Sequence, residues 1–176
     1  PGAAMKVVLG FAKIPEMLEK GIAVSIGTDG APSNNRMDMM RDMYLTSLIH
    51  KGRTLNPKTI SAEQVLEMAT INGARCALME NEIGSLEIGK KADIIILNSD
   101  TIHSLPVIDP VANIVYAMGS ENIESSMCNG RWLMKNREIL FLDEKELLKK
   151  IKIQNEKIMN KAGVVIPNRF PVIEID

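Results

Sequence analysis

The sequence predicts an α/β fold, and the alternation of helical and apolar segments carries that prediction. Ile14–Lys20 has the apolar spacing of a helix end, and Gly21 follows where a helix C′ glycine stands. Ile22–Ile26 is then a brief apolar run, too short for a helix and typical of a buried parallel strand. A helix, a glycine and a buried strand in succession are the pattern of α/β proteins.

A second helix is expected over Asp38–Lys51, with Gly52 as its end. The methionines of the stretch Met37–Met43 are interpreted as packing residues, because the flexible thioether side chain fills irregular gaps in cores.

The next helix begins with a capping box. In Ser61-Ala-Glu-Gln64 the serine hydroxyl can accept from the Gln64 amide while the glutamine side chain reaches back. The predicted helix runs to about Leu78 and buries apolar residues at helical spacing: Val65, Leu66, Ala69 and Ala77.

Residues 83–140 are expected to form a β-rich unit. Strands are predicted at Ile94–Leu97, at Asn113–Met118 and within Ser126–Met134, where Asn129-Gly130 is a strong hairpin-turn signal.

Beyond this unit, a charged amphipathic helix is predicted over 144–159 and an irregular tail over 167–176. One side of that helix carries Leu147, Leu148, Ile151 and Ile158.

The composition and net charge bear on two classes of function, nucleic-acid binding and membrane insertion. The chain has 176 residues and a net charge of −1, so it lacks the basic footprint of a nucleic-acid-binding protein. No apolar run approaches the roughly 20 residues that span a bilayer, and we expect neither a nucleic-acid nor a membrane partner. Cys76 and Cys128 are far apart in sequence and are interpreted as reduced, buried residues of a cytoplasmic protein.

The segment Gly27-Thr28-Asp29-Gly30 is the candidate site. Asp29 follows the predicted strand directly, and functional groups of parallel α/β folds collect at the carboxyl ends of strands. A carboxylate there can bind a metal ion or accept a proton, while the two glycines permit tight turns and close approach. Asp29 as a simple turn residue or helix cap is the alternative. The polar loop that follows offers candidate substrate contacts, whose alternative role is to stabilise the loop backbone: Ser33, Asn34 and Asn35.

Three separated stretches resemble one family. GIAVSIGTDGAPSNN resembles the last barrel strand of the metal-dependent amidohydrolase superfamily, in the branch of the 5-methylthioadenosine/S-adenosylhomocysteine deaminases and the triazine chlorohydrolases. PGAAMKVVLGFAKIPEMLEKG resembles the segment leading into that strand. SAEQVLEMATINGARCALMENEIGSLEIGKKADIIILN resembles the final barrel helix and the return into a small β-sandwich domain.

The resemblance implies the C-terminal part of a (β/α)8 TIM barrel together with part of a β-sandwich. Residues 1–82 would supply the last strand and helices of the barrel, 83–140 the sandwich portion, and 141–176 a C-terminal helix and tail.

The resemblance also implies a chemical role for Asp29. This residue would be a ligand of a divalent metal, in most cases zinc, and the base that takes a proton from the attacking water. The implied reaction is deamination of an aminated purine nucleoside or related N-heterocycle, such as 5-methylthioadenosine or S-adenosylhomocysteine. The alternatives are a triazine-type chlorohydrolase, a guanine deaminase and a non-catalytic assembly module.

The sequence departs from the family pattern in its histidines. The family holds its metal with a His-x-His pair, a further histidine and the aspartate, whereas this chain has only His50 and His103. We expect His50 to be a surface or packing residue of a helix and His103 a loop residue. A second departure is Ala3-Ala4, where many deaminases of the branch have Ser-Asn in a loop near the substrate.

A catalytic zinc takes about three protein ligands, and a complete barrel takes roughly 250 residues. We therefore expect a fragment that is inactive alone. Its expected partner is the missing N-terminal part of the barrel or a second copy, because an unpaired barrel strand exposes edges and apolar surface.

Overall fold

The computed structural model describes residues 1–164, and the predicted tail at 167–176 lies outside them. The chain divides into two compact units after Glu138. The first unit holds a group of helices and an antiparallel sheet. Its helices are α1 (Gly2–Lys6), α2 (Ile14–Glu19), α3 (Ala31–Asn34), α4 (Met39–Thr54), α5 (Ala62–Ala69), α6 (Ile71–Cys76) and α7 (Pro110–Tyr116), with a 3-10 turn at Ser120–Asn122.

Helix α4 has the predicted start and a later end. Asp38 is its N-cap, and the carboxylate accepts from the Arg41 N–H at 3.1 Å. The expected end at Gly52 is wrong: the helix runs on to Thr54 and closes at Leu55 in a left-handed conformation. Glycine inside a helix is tolerated at a modest cost, so Gly52 alone does not end it.

The capping box at Ser61 and Gln64 is confirmed, with both reciprocal hydrogen bonds present. The single helix expected to reach Leu78 is instead two helices, α5 and α6. Thr70 separates them because its backbone, at φ −125° and ψ −99°, leaves the helical region. Val65 is fully buried as expected, whereas Ala77 is exposed.

The sheet has four strands in the order β1-β2-β3-β4. Their bounds are β1 (Ile94–Leu97), β2 (Ile123–Cys128), β3 (Arg131–Lys135) and β4 (Glu138–Ile139). The first three strands pair antiparallel. The predicted hairpin is confirmed: Asn129 and Gly130 both have positive φ, at 47° and 77°, as a two-residue type I′ turn requires.

The strand expected at Asn113–Met118 is wrong, because residues 113–116 form the second half of helix α7 and the helix ends at Tyr116. Asp109 caps the helix by accepting from the N–H groups of Val111 and Ala112, and Pro110 occupies the first turn. The capping aspartate and the proline after it indicate the start of a helix, whereas the apolar run alone does not.

The segment Ile22–Ile26 is not a strand in this structure, contrary to the prediction. None of the strands of residues 1–164 pairs with it, and a strand exists only through hydrogen bonds to a neighbour. The segment is anchored by the Ile26 N–H, which donates to the Met68 carbonyl at 3.2 Å, and by burial of Val24.

The core of the first unit lies between α4, α5, α7 and the 22–26 segment, and it is built mainly from aliphatic and methionine side chains. Its members are Val24, Met40, Met43, Ile60, Ala62, Val65, Met68 and Val115. The packing role expected for the 37–43 stretch holds for Met40 and Met43, whereas Met37 is 69% exposed. The burial expected for Cys76 and Cys128 is wrong: both are free thiols at the surface.

In the second unit, α8 (Glu144–Ala162) forms as predicted and extends slightly beyond 159. Asp143 caps its start by accepting from the Glu146 N–H at 3.0 Å. No helix within residues 1–164 combines the length and the apolar character that crossing a lipid bilayer needs.

Candidate active site

Asp29 lies at the surface of the first unit, in a tight turn after the 22–26 segment. Its backbone is in the left-handed region at φ 62°, which aspartate tolerates better than most residues. One carboxylate oxygen, Oδ1, accepts from the Gly30 N–H at 2.6 Å. The other oxygen, Oδ2, accepts no hydrogen bond from the described residues and is available to a ligand.

The glycines flanking Asp29 leave open space around the carboxylate. A Cβ added at Gly27 would meet no atom within 4 Å, and one added at Gly30 would meet only Pro32 at 3.6 Å. The positive φ belongs to Asp29 and not to its glycines, so the turn is made by the carboxylate-bearing residue itself.

The loop residues predicted to contact substrate are in different environments. Ser33 is half-buried in α3, and its N–H donates to the Gly30 carbonyl at 3.1 Å. Asn35 follows α3 with φ 63°, is exposed, and accepts from the Lys6 ammonium group. Both side chains are therefore within reach of solvent near Asp29.

Asn34 faces inward. It is 7% exposed, and its Nδ2 donates to the Thr28 carbonyl at 2.5 Å and to Asp42 Oδ2 at 3.0 Å. These contacts support the loop-stabilising alternative, because they hold the backbone next to Asp29 against α4.

Asp42 is the residue of this region that the sequence analysis missed. It is 2% exposed, and its Oδ1 accepts from the Gly2 N–H at 3.0 Å while Oδ2 accepts from Asn34. A buried carboxylate must be hydrogen-bonded, and here it joins α1, α3 and α4. The available signal was its position between Met40 and Met43, both of which are buried in α4.

Within residues 1–164, neither histidine has the neighbours that a metal site requires. His103 is exposed in a loop, as expected, and His50 is 2% exposed inside α4. Burial, followed by the positive charge of Arg53, lowers the pKa of His50 from its usual value of 6.5. Across residues 1–164, no group of three or more histidine, cysteine, aspartate or glutamate side chains is placed to hold a metal ion. The described residues therefore supply one candidate ligand, Asp29.

A cavity of about 270 Å³ opens beside the same segment. Ser25, Ile26 and Gly27 line it, together with His50, but Asp29 does not. The Asp29 carboxylate therefore lies beyond the C-terminal end of the 22–26 segment, whereas the cavity runs along the side of that segment.

Known proteins resemble this chain in sequence and in structure. Residues 1–133, which include Asp29, match the model of the amidohydrolase family. A 5-methylthioadenosine/S-adenosylhomocysteine deaminase of Syntrophomonas wolfei is 45% identical over 161 residues, which are 92% of this chain and 37% of that relative.

Two solved structures share the fold. An adenosine deaminase from Xanthomonas campestris with bound zinc superimposes with a TM-score of 0.88 at 25% identity, covering 91% of this chain and 36% of that one. The atrazine chlorohydrolase TrzN from Arthrobacter aurescens TC1, complexed with zinc, gives a TM-score of 0.79 at 29% identity, with 86% and 34% covered.

The chain thus spans a little more than a third of the length of these relatives. The family resemblance and the α/β amidohydrolase fold predicted from the sequence are confirmed. This chain belongs to the amidohydrolase family.

Proposed function

We propose that the chain is the C-terminal part of a zinc-dependent deaminase acting on an aminated purine nucleoside. The observation that carries the proposal is the 45% identity to a 5-methylthioadenosine/S-adenosylhomocysteine deaminase across 92% of this chain. In this proposal residues 1–82 complete a TIM barrel, residues 83–140 form part of a β-sandwich, and residues 141–176 are a C-terminal helix and tail. The helices up to Cys76 and the sheet from Ile94 onward support that division.

Asp29 is the proposed metal ligand and base. Its free Oδ2 and the open space beside Gly27 and Gly30 fit one position in a metal's coordination shell. Histidines from the part of the barrel that this chain lacks would provide the others, since a catalytic zinc takes about three protein ligands. A zinc ion bound there would polarise a water molecule for attack on the substrate.

The chain's own residues hold and position that carboxylate. The Gly30 N–H holds Oδ1 at 2.6 Å, and the carboxylate would accept a proton from the attacking water. The Asn34 side chain donates hydrogen bonds to both the Thr28 carbonyl and the Asp42 carboxylate. These two contacts limit movement of the turn that carries Asp29. Ser33 and Asn35 are the proposed polar contacts of the substrate.

A chlorohydrolase is the second candidate, because TrzN shares 29% identity and a TM-score of 0.79 over 86% of the chain. The lower identity favours the deaminase. Either activity needs the rest of the barrel, so we expect this chain alone to be inactive. The proposed partner is that missing portion.

A chimaera tests the proposal. This chain would replace the matched region of the Syntrophomonas wolfei relative, and ammonia release would be measured on 5-methylthioadenosine, S-adenosylhomocysteine, adenosine and guanine. Chloride release from a chlorinated triazine would be measured in parallel. We expect ammonia from one of the adenine nucleosides. A folded, zinc-loaded chimaera that releases neither product would refute the proposed function and favour the assembly module.

A further inference from the structure

Asp42 is a carboxylate with almost no exposure to solvent, and both of its oxygens are engaged by neighbouring residues. Oδ1 accepts from the Gly2 N–H and Oδ2 accepts from Asn34 Nδ2, each at 3.0 Å. A buried charge is tolerated only where such hydrogen bonds compensate for the lost water. Any effect of the Asp42 carboxylate on the candidate site must therefore pass through Gly2 or Asn34.

Asn34 connects Asp42 to the turn that carries Asp29. The Nδ2 group that donates to Asp42 also donates to the Thr28 carbonyl at 2.5 Å. That carbonyl shares a planar peptide unit with the Asp29 nitrogen, so holding the carbonyl also holds the start of Asp29. The opposite orientation of the Asn34 amide would place its Oδ1 against two other acceptors. Asp42 thus fixes which way Asn34 faces, and Asn34 fixes the turn.

The other oxygen of Asp42 joins α1 to the same region. Its donor, Gly2, is the first residue of α1, where backbone N–H groups have no partner within the helix. A Cβ at Gly2 would lie 2.8 Å from Asp42 Oδ1, so the glycine permits this close approach. At the far end of α1, the Lys6 ammonium group donates to Asn35 Oδ1. Two contacts therefore hold α1 against the loop that follows Asp29.

We propose that Asp42 is a positioning residue of the active site, which acts on Asp29 through Asn34 and holds α1 against the same loop. It contacts neither the metal nor the substrate. This role rests on the proposed function, because the placement of Asp29 matters to a reaction only if Asp29 is the ligand and base. A shift of about 1 Å in a reacting group can lower a rate by about 10²-fold, so a residue outside the site can control turnover.

Nuclear magnetic resonance of the free chain, without the rest of the barrel, tests the positioning in the absence of metal and substrate. The Gly30 N–H donates to Asp29 Oδ1 at 2.6 Å, so its chemical shift reports how the carboxylate lies in the turn. Asp42→Leu keeps the branched shape of the side chain and removes both acceptors. We expect it to move the Gly30 resonance and to speed exchange of the Asn34 side-chain amide protons at least about tenfold, because they lose an acceptor.

Thr46→Val is the matched control on the same helix. Thr46 is fully buried, and its hydroxyl donates to the backbone carbonyl of Asp42 at 2.7 Å and not to the carboxylate. This variant should lose stability without moving the Gly30 resonance. Asn34→Ala completes a double-mutant cycle with Asp42→Leu. If Asp42 acts through Asn34, the double variant should move the Gly30 resonance no further than Asn34→Ala alone.

Kinetics of the zinc-loaded chimaera separate positioning from a loss of stability. Well below the melting temperature, Asp42→Leu should lower kcat at least about tenfold and change KM less than about threefold, because the reacting group is misplaced while substrate binding is kept. Asp42→Glu retains the carboxylate and should recover most of kcat, and Thr46→Val should keep the full rate. The Pro1 amine, 3.7 Å from Asp42 Oδ1 in this chain, is part of a peptide bond in the chimaera, so its ion pair cannot cause the effect there.

Three results would overturn the inference. They are a folded Asp42→Leu chain whose Gly30 resonance stays in place, a Thr46→Val chain that moves it as far, and an Asp42→Leu chimaera that keeps its kcat. If Asp42→Leu does not fold, Asn34→Ala carries the same test, because it breaks the connection at its middle. A chimaera that releases no ammonia would refute the deaminase, whereas the Gly30 resonance of the free chain would still decide whether Asp42 positions the turn.

Discussion

Replacing Asn34 with alanine tests how the turn carrying Asp29 is held. The substitution removes a hydrogen bond to the Thr28 carbonyl and another to the Asp42 carboxylate, and it leaves Asp42 Oδ2 buried without that donor. A neutral hydrogen bond contributes about 1 kcal/mol and one to a charged group about 2 kcal/mol, so we expect a loss of about 3 kcal/mol. For a chain of this size the melting temperature should fall by about 6–12 °C.

Urea denaturation of the free chain, followed by circular dichroism, measures this loss. Ser33→Ala is the control: it changes the neighbouring residue, whose side chain makes no hydrogen bond with the described residues, and should cost no more than about 0.5 kcal/mol. If Asn34→Ala cost less than about 1 kcal/mol, the Thr28–Asn34–Asp42 contacts would not be what holds the turn.

Further predictions concern His50, the capping box and the loop at Gly84. Because burial lowers the pKa of His50 below 6.5, the unfolded state binds its proton first. Stability should therefore be complete above pH 6.5 and fall as the pH drops below it; denaturation at several pH values should show this slope, and His50→Leu should flatten it. Ser61→Ala removes a cap of α5 and should cost about 1 kcal/mol in urea denaturation, whereas an unchanged midpoint would mean that the capping box contributes nothing. Gly84→Ala should cost about 1–3 kcal/mol, because φ is +92° and the new Cβ would lie 2.7 Å from the Ala74 Cβ; an unchanged urea midpoint would mean that neither the backbone conformation nor the close approach to Ala74 matters.

Local signals in the sequence were sufficient to predict the structure at places where a few neighbouring residues determine the backbone conformation. Asn129-Gly130 specifies a type I′ turn because both residues accept positive φ, and the hairpin forms as predicted. Ser61 and Gln64 satisfy each other's backbone groups, and α5 begins where they indicate. At 113–118 the apolar run favoured a strand, although Asp109 and Pro110 are typical of a helix start, and residues 113–116 are helical.

Features that depend on distant residues were harder to predict. The segment Ile22–Ile26 reads as a buried strand, yet pairing needs a neighbouring strand that the described residues do not provide. Asp42 sits among methionines in α4, and only the folded arrangement shows that it hydrogen-bonds Asn34 and Gly2. The position of Asp29 in an exposed turn agrees with the candidate site, whereas its roles as metal ligand and base remain proposals.

The most direct test of the central claim is zinc content and ammonia release in the chimaera carrying Asp29→Asn. The control is Asp100→Asn, an exposed aspartate far along the sequence in a loop. We expect Asp29→Asn to lose zinc and at least about 10²-fold in rate, because it removes a ligand and the base together, while the control keeps both. An Asp29→Asn chimaera that retains its zinc and its rate would contradict the account.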